Sequence, residues 1–191
     1  MEDTDRPGRL SQVPFHGPLS QTRAASMTER LTRNHPRTVL DIGCGWGELM
    51  LRILAAAPDA TGVGIDLDED DLARGRAAAQ ARGLADRVTF ARESGIGTTR
   101  GPADLVLCVG ASQAVSDVQP PGHIAAALTA LRRLVAPGGR VLFGDGFWQH
   151  PPTEAELAAE LRQRLDEHRS YWLRGYRGLL GLVYLTLIPV G

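Results

Sequence analysis

The chain contains no lysine; all 21 of its basic residues are arginine. A P-loop lysine, a Schiff-base lysine and a lysine general base are therefore excluded from any mechanism. Cysteine is nearly absent as well. Cys44 and Cys108 lie in apolar surroundings without C-x-x-C spacing, which argues for packing rather than a disulfide framework or redox chemistry. The histidines at 16, 35, 123, 150 and 168 have no ligand spacing, and no metal site is expected. Neither sign of charge dominates. With a net charge of −1 and no basic stripe, neither nucleic acid nor an anionic membrane is an expected partner. The longest apolar run, 179–190, is too short to cross a bilayer, and the first residues have no signal-peptide core. The expectation is a cytoplasmic protein. Arginine in place of lysine, with abundant Ala and Gly, suits a GC-rich, bacterial coding sequence.

The 191 residues favour one domain with a sizeable core. Residues 1–19, rich in Pro, Gly and charge, read as a flexible N-terminal segment, and 20–191 as a single domain. Ser20 is placed to cap a helix over 21–34. Strand and helix patterns then alternate: strands at 38–42, 61–66, 87–91, 103–109 and 140–144, and helices at 48–57, 69–82 and 122–135. Short, continuously apolar strands separated by helices predict an α/β, doubly wound, mostly parallel sheet. Beyond it, Thr153 and Glu156 form a capping-box pair for a helix over 153–168, and the run at 179–190 reads as a strand. The acidic run D-E-D-D (68–71) reads as cap and charge for the helix it opens rather than as a metal site.

The stretch V-L-D-I-G-C-G-W-G-E-L-M (39–50) carries the chemistry. In such sheets ligands sit beyond the carboxyl ends of the strands, where strand order reverses. Gly43 can turn tightly there, Gly45 leaves room for a ligand, and Gly47 opens a helix whose N–H groups face anionic groups. Asp66, 19 residues beyond Gly47, ends the second strand, where a carboxylate can accept both hydroxyls of a ribose. A nicotinamide dehydrogenase would carry G-x-G-x-x-G to cradle a pyrophosphate. This chain has G-x-G-x-G preceded by Asp41, an acid that suits an amino group better than a phosphate. A ligand with a ribose, an ammonium and no phosphate fits: S-adenosylmethionine.

On these residues the sequence resembles the class I S-adenosylmethionine-dependent methyltransferases of small-molecule type. The matching pieces are D-I-G-C-G-W-G (41–47), G-I-D-L-D (64–68), V-T-F-A-R-E-S (88–94), A-D-L-V-L-C-V-G-A-S (103–112) and V-A-P-G-G-R-V-L-F-G (135–144), in the family's order. The resemblance implies a Rossmann-like methyltransferase sheet, with its cofactor-binding core at about 37–145. It also implies that Asp41 (directly or through water) and the backbone of Gly43, Cys44, Gly45 and Gly47 hold the methionine part. Asp66 would take the ribose hydroxyls and Leu67 would lie against the adenine. Glu93 or Ser94 would meet the adenine edge, and Val109 and Gly110 would pass beside the sulfonium. The family usually has Asp where Ser94 stands.

The implied reaction moves a methyl group by in-line displacement to a small-molecule acceptor, and positioning can carry most of it without a catalytic triad. No catalytic residue is assigned. His16 and His150 read first as exposed loop histidines, with a place on the acceptor side as the alternative; Gln113 is a further candidate for the acceptor side, and the basic-aromatic segment 169–178 reads as a packing element. Only one strand candidate follows the 153–168 helix where the family has two, so the C-terminal strand region is shortened and a sheet edge is left for a possible homodimer. Two other readings stay open: a cofactor-binding but inactive relative or partner subunit, and an NAD(P)-binding oxidoreductase.

Overall fold

In chain order the elements are α1 (Gln21–Thr32), β1 (Thr38–Ile42), α2 (Glu48–Ala56), β2 (Thr61–Asp66), α3 (Glu69–Ala81), β3 (Val88–Arg92), β4 (Ala103–Val109), α4 (His123–Arg132), β5 (Val135–Trp148) and β6 (Leu180–Leu187). They come from a computed structural model that describes residues 14, 15, 19–148, 154 and 180–187. The expected 153–168 helix, the 169–178 segment, His16 and His150 lie outside the described residues, apart from Glu154.

The strands form one sheet in the order β3-β2-β1-β4-β5-β6. The pairs β1–β2, β1–β4, β2–β3 and β4–β5 are all parallel. From β1 the chain winds outward through β2 and β3, then returns to the other side of β1 as β4. The strand order therefore reverses between β1 and β4, which is where such sheets bind ligands. The doubly wound α/β fold expected from the sequence is the fold observed.

The chain divides into two units: Ser20–Asp145 with Val183–Gly191, and Met1–Leu19 with Gly146–Leu182. The first holds β1 to β4 and the core. Alternate residues of its strands, Leu40 and Ile42, Val106 and Cys108, Val141 and Phe143, pack with Ala127 and Leu131 of α4. The opposite parity is buried too, at Val39, Leu105, Leu107 and Leu142. Both faces are covered, which is why the strands read as unbroken apolar runs. In the second unit, Phe15 and Leu19 are buried.

Local chemistry sets the element ends. Ser20 caps α1 by accepting from the amide of Arg23 at 3.2 Å. Asp68 caps α3 by accepting from the amides of Asp70 and Asp71, so D-E-D-D serves as cap and first-turn charge. At the far end of α2, the Arg87 guanidinium donates to the carbonyls of Leu54, Ala57, Pro58 and Ala60 at 3.0–3.1 Å. Leu54 lies in the last turn of α2, Ala57 is its C-cap, and Pro58 and Ala60 follow it, so the guanidinium adds donors where intrahelical ones run out; the Ala57 carbonyl also accepts from the Ala60 amide at 3.0 Å.

Several boundaries differ from expectation. The helix expected over 122–135 stops at Arg132, and the strand expected at 140–144 begins at Val135. Val135 pairs with Ala103, and the next partners are Leu105 and Arg140. Pro137-Gly138-Gly139 is thus a bulge inside β5 rather than a stop before it, with Gly138 at φ 76°. The third strand is also shifted by one residue, to Val88–Arg92, because a short 3-10 turn takes Ala85–Arg87.

Candidate functional site

The loop that leaves β1 is closed by its own backbone. The amides of Gly43 and Cys44 both donate to the carbonyl of Ile65, at 2.9 and 3.1 Å, and the amide of Gly47 donates to Cys44 O at 2.8 Å. Gly43, Gly45 and Gly47 have φ of 63°, 54° and 65°, a left-handed conformation that side chains tolerate poorly. Two of the three are also sterically required. A Cβ on Gly43 would stand 2.4 Å from Cβ of Ala111, and one on Gly47 would stand 2.7 Å from the Phe90 ring. Gly47 ends the loop as the N-cap of α2, contributing no side chain to the helix terminus.

Asp66 is held by three backbone donors. Its Oδ2 accepts from Gly45 N–H at 2.7 Å, and its Oδ1 accepts from Leu67 N–H at 2.7 Å and Asp68 N–H at 3.0 Å. The carboxylate at the end of β2 is therefore aimed at the loop after β1. Leu67, next in the chain, is 64% exposed and presents a large apolar side chain beside it.

Asp41 lies in the middle of the sheet, paired in register with Gly64 and Leu107. By strand alternation it points to the face opposite Leu40 and Ile42. It is buried, and burial, with the charge of Asp66 adding to it, raises its carboxyl to a pKa of about 7. A buried acid poised to ionise suits a cationic group brought beside it.

Just past β3, the amide of Glu93 donates to Asp66 O at 3.0 Å, which ties the two strand ends together. The Glu93 carboxylate accepts from Thr98 Oγ1 at 2.8 Å and from Arg100 Nε at 2.9 Å. The Arg100 hydrogen bond and then that of Thr98 hold its carboxyl below the usual range. Ser94 is exposed, and its Oγ accepts from Ile96 N–H at 3.2 Å. Past β4, Gly110 is exposed at φ 70°, with open space where a Cβ would be, and its amide donates to Gly144 O at 2.7 Å. Val109 is half-buried, and Gln113 is exposed on a 3-10 turn at Ser112–Ala114.

The cysteines are packing groups. Cys44 donates its thiol to Gly45 O at 3.3 Å, and Cys108 donates to Ala111 O at 3.4 Å. Burial, followed by the nearby Asp41 carboxylate, pushes both thiols above their ordinary range, so neither is a nucleophile at neutral pH. Among the described residues no His, Cys, Asp and Glu group could hold a metal ion, and no helix is long and apolar enough to cross a membrane.

The loop has supports that sequence reasoning missed. The Phe90 ring nests against Gly47, Gly64 and Gly75, where added Cβ atoms would stand 2.7–3.1 Å from it. Trp46 is buried, with the Arg74 guanidinium 3.7 Å from its ring centroid. One sequence signal was available: Gly75 lies inside a helix, where glycine costs about 1 kcal/mol relative to alanine. Its presence there points to a close approach.

The family model described as a methyltransferase domain matches residues 40–141, from within β1 to within β5. The uncharacterized protein YjhP of Escherichia coli is 31% identical over 150 residues, 78% of this chain and 57% of YjhP. Two solved structures share the fold, each a SAM-dependent methyltransferase in complex with S-adenosyl-L-homocysteine. The one from Geobacter sulfurreducens gives a TM-score of 0.67 at 30% identity, covering 79% of this chain and 59% of its own. The one from Thiobacillus denitrificans gives 0.67 at 30%, covering 78% and 58%. The chain thus spans under two thirds of the length of these relatives.

Proposed function

Because the chain belongs to the class I S-adenosylmethionine-dependent methyltransferases, we propose that it binds S-adenosylmethionine at the switch point between β1 and β4 and methylates a small molecule. The observation that carries this reading is the 2.7 Å hydrogen bond from Gly45 N–H to Asp66 Oδ2. It brings a carboxylate that can accept ribose hydroxyls and a bare glycine loop to one point. The donor set suits this cofactor: a carboxylate at the end of β2, left-handed glycines, an exposed leucine for a flat apolar ring, and a buried acid for an ammonium. The G-x-G-x-G spacing, without the pyrophosphate turn of the dinucleotide motif, supports the same choice over NAD(P).

In this reading Asp66 accepts from the ribose hydroxyls while its backbone donors keep it oriented. Leu67 covers the adenine. Glu93 is engaged by Arg100 and Thr98, so Ser94 takes the adenine edge. The Gly43–Gly47 backbone, with Cys44 contributing main chain only, lines the methionine part, and Asp41 neutralises its ammonium. Val109 and Gly110 flank the reacting end, where an open glycine lets an acceptor approach closely. The cofactor supplies an activated methyl group on a sulfonium. The chain's task is to hold donor and acceptor aligned, the contribution that proximity makes largest.

Calorimetric titration with S-adenosylmethionine, S-adenosylhomocysteine and NAD tests the cofactor. Micromolar binding of the first two, strongly weakened in Asp66→Ala and absent for NAD, is expected. A folded protein that binds neither would refute the reading. Release of S-adenosylhomocysteine on screening small acceptors then separates an enzyme from an inactive binder.

A further inference from the structure

Trp46 is the one bulky side chain of the glycine loop, and it does not line the ligand space. It is turned inward, 3% exposed, beneath α3. Two consecutive α3 residues meet it. The Arg74 guanidinium carbon stands 3.7 Å from the ring centroid, and a Cβ on Gly75 would stand 2.9 Å from the Trp46 carbonyl. The same helix starts at Asp68, whose amide donates to Asp66. One rigid element therefore touches both halves of the site: its N-terminus orients the carboxylate of Asp66, and its second turn seats the loop through Trp46.

We propose that Arg74 is a positioning residue for cofactor binding. Its guanidinium, stacked on Trp46, holds the Gly43–Gly47 loop at the height set by Asp66 without touching the ligand. This rests on the cofactor reading above. The amides of Gly43, Cys44, Gly45 and Gly47 tie the loop backbone to Ile65, Asp66 and itself, and the Arg74–Trp46 stack adds a side-chain anchor between the left-handed Gly45 and Gly47. A cation over the face of an indole is the strongest pairing of its kind and gains as it is withdrawn from water; Arg74 is half-buried. Loop order established in this way lowers the entropic cost of binding.

The test is titration of S-adenosylhomocysteine into wild type, Arg74→Ala, Arg74→Met and Arg74→Lys, with the thermal midpoint of each recorded. Methionine keeps an apolar stem and lysine keeps the charge, so the pair separates packing from the cation. The expected result is a loss of affinity of roughly five- to tenfold in the alanine and methionine variants. The lysine variant is expected to fall between wild type and methionine, since an ammonium keeps the charge but not the planar stack, and the methionine variant to keep a near wild-type midpoint. Wild-type affinity in Arg74→Met, or equal weakness in Arg74→Met and Arg74→Lys, would overturn the proposal while leaving the cofactor reading intact. Absence of binding by wild type itself would overturn both.

Discussion

The amide of Gly45 donates to Oδ2 of Asp66 at 2.7 Å, making the loop after β1 and the end of β2 one hydrogen-bonded unit. Asp66 therefore orders the loop, in addition to the ligand contact proposed for it. Asp66→Ala removes an ionised acceptor and frees Gly45 N–H, and each hydrogen bond to a charged group contributes about 1.5–3 kcal/mol. The expected loss of S-adenosylhomocysteine affinity is roughly 30- to 100-fold, and Asp66→Asn, which keeps an acceptor, loses less. Calorimetry on the two variants checks the order.

Asp41 makes both stability and binding depend on pH. Its folded pKa of about 7 lies above its unfolded value of 3.8, so between those values the folded chain binds more protons than the unfolded one. Its contribution is therefore most favourable below about pH 4, falls as pH rises, and levels off above about 7. Asp41→Asn is expected to stabilise the protein at pH 8 by on the order of 1–3 kcal/mol, with a much smaller gain at pH 5. Urea denaturation at the two pH values measures it.

Binding should show the opposite trend with pH. A ligand ammonium beside Asp41 favours the ionised carboxylate, so affinity for S-adenosylhomocysteine should rise from pH 6 to pH 8, by up to about tenfold. Proton release on binding near pH 6.5, read from calorimetry in buffers of different ionisation enthalpy, should accompany it. A flat profile with no proton release would remove Asp41 from the ligand site.

Gly43→Ala places a Cβ 2.4 Å from that of Ala111, at φ 63°. Overpacking and left-handed strain together predict a loss of about 2–4 kcal/mol. Adding Ala111→Gly should restore part of it, leaving the backbone term of about 1 kcal/mol. A double-mutant cycle by denaturant unfolding separates the two contributions.

Arg87→Ala removes one guanidinium from four carbonyls at the end of α2. A destabilisation of about 2–3 kcal/mol is expected, with ligand affinity unchanged in the fraction that remains folded. Arg87→Lys should recover little, since one ammonium cannot reproduce the planar fork. Thermal unfolding with and without S-adenosylhomocysteine tests both statements.

Much of this molecule was legible in local sequence. The strands at 38–42, 61–66 and 103–109 fall where apolar runs predict them, because burial on both sheet faces writes itself directly into composition. Ser20 and Asp68 cap the helices they precede, since a cap is an interaction across three residues. The glycine loop declared itself because only glycine tolerates three left-handed positions in a row of five. The course of β5 was misread because Pro137-Gly138-Gly139 has the same local signature in a bulge as in a stop, and only pairing with Ala103 and Leu105 distinguishes them.

The partners of the site residues belong to tertiary structure alone. That Glu93 turns to Arg100, that Phe90 fills the space spared by Gly47, Gly64 and Gly75, and that Arg74 covers Trp46 are contacts between separate elements or across loops. Such contacts leave no period and no fixed spacing in the chain. The sequence by itself determined the order of the elements and the chemistry available at the carboxyl ends of the strands. Packing decided which of those groups face one another, and it raised the pKa of Asp41, because burial and the field of a neighbouring charge exist only once the sheet has formed.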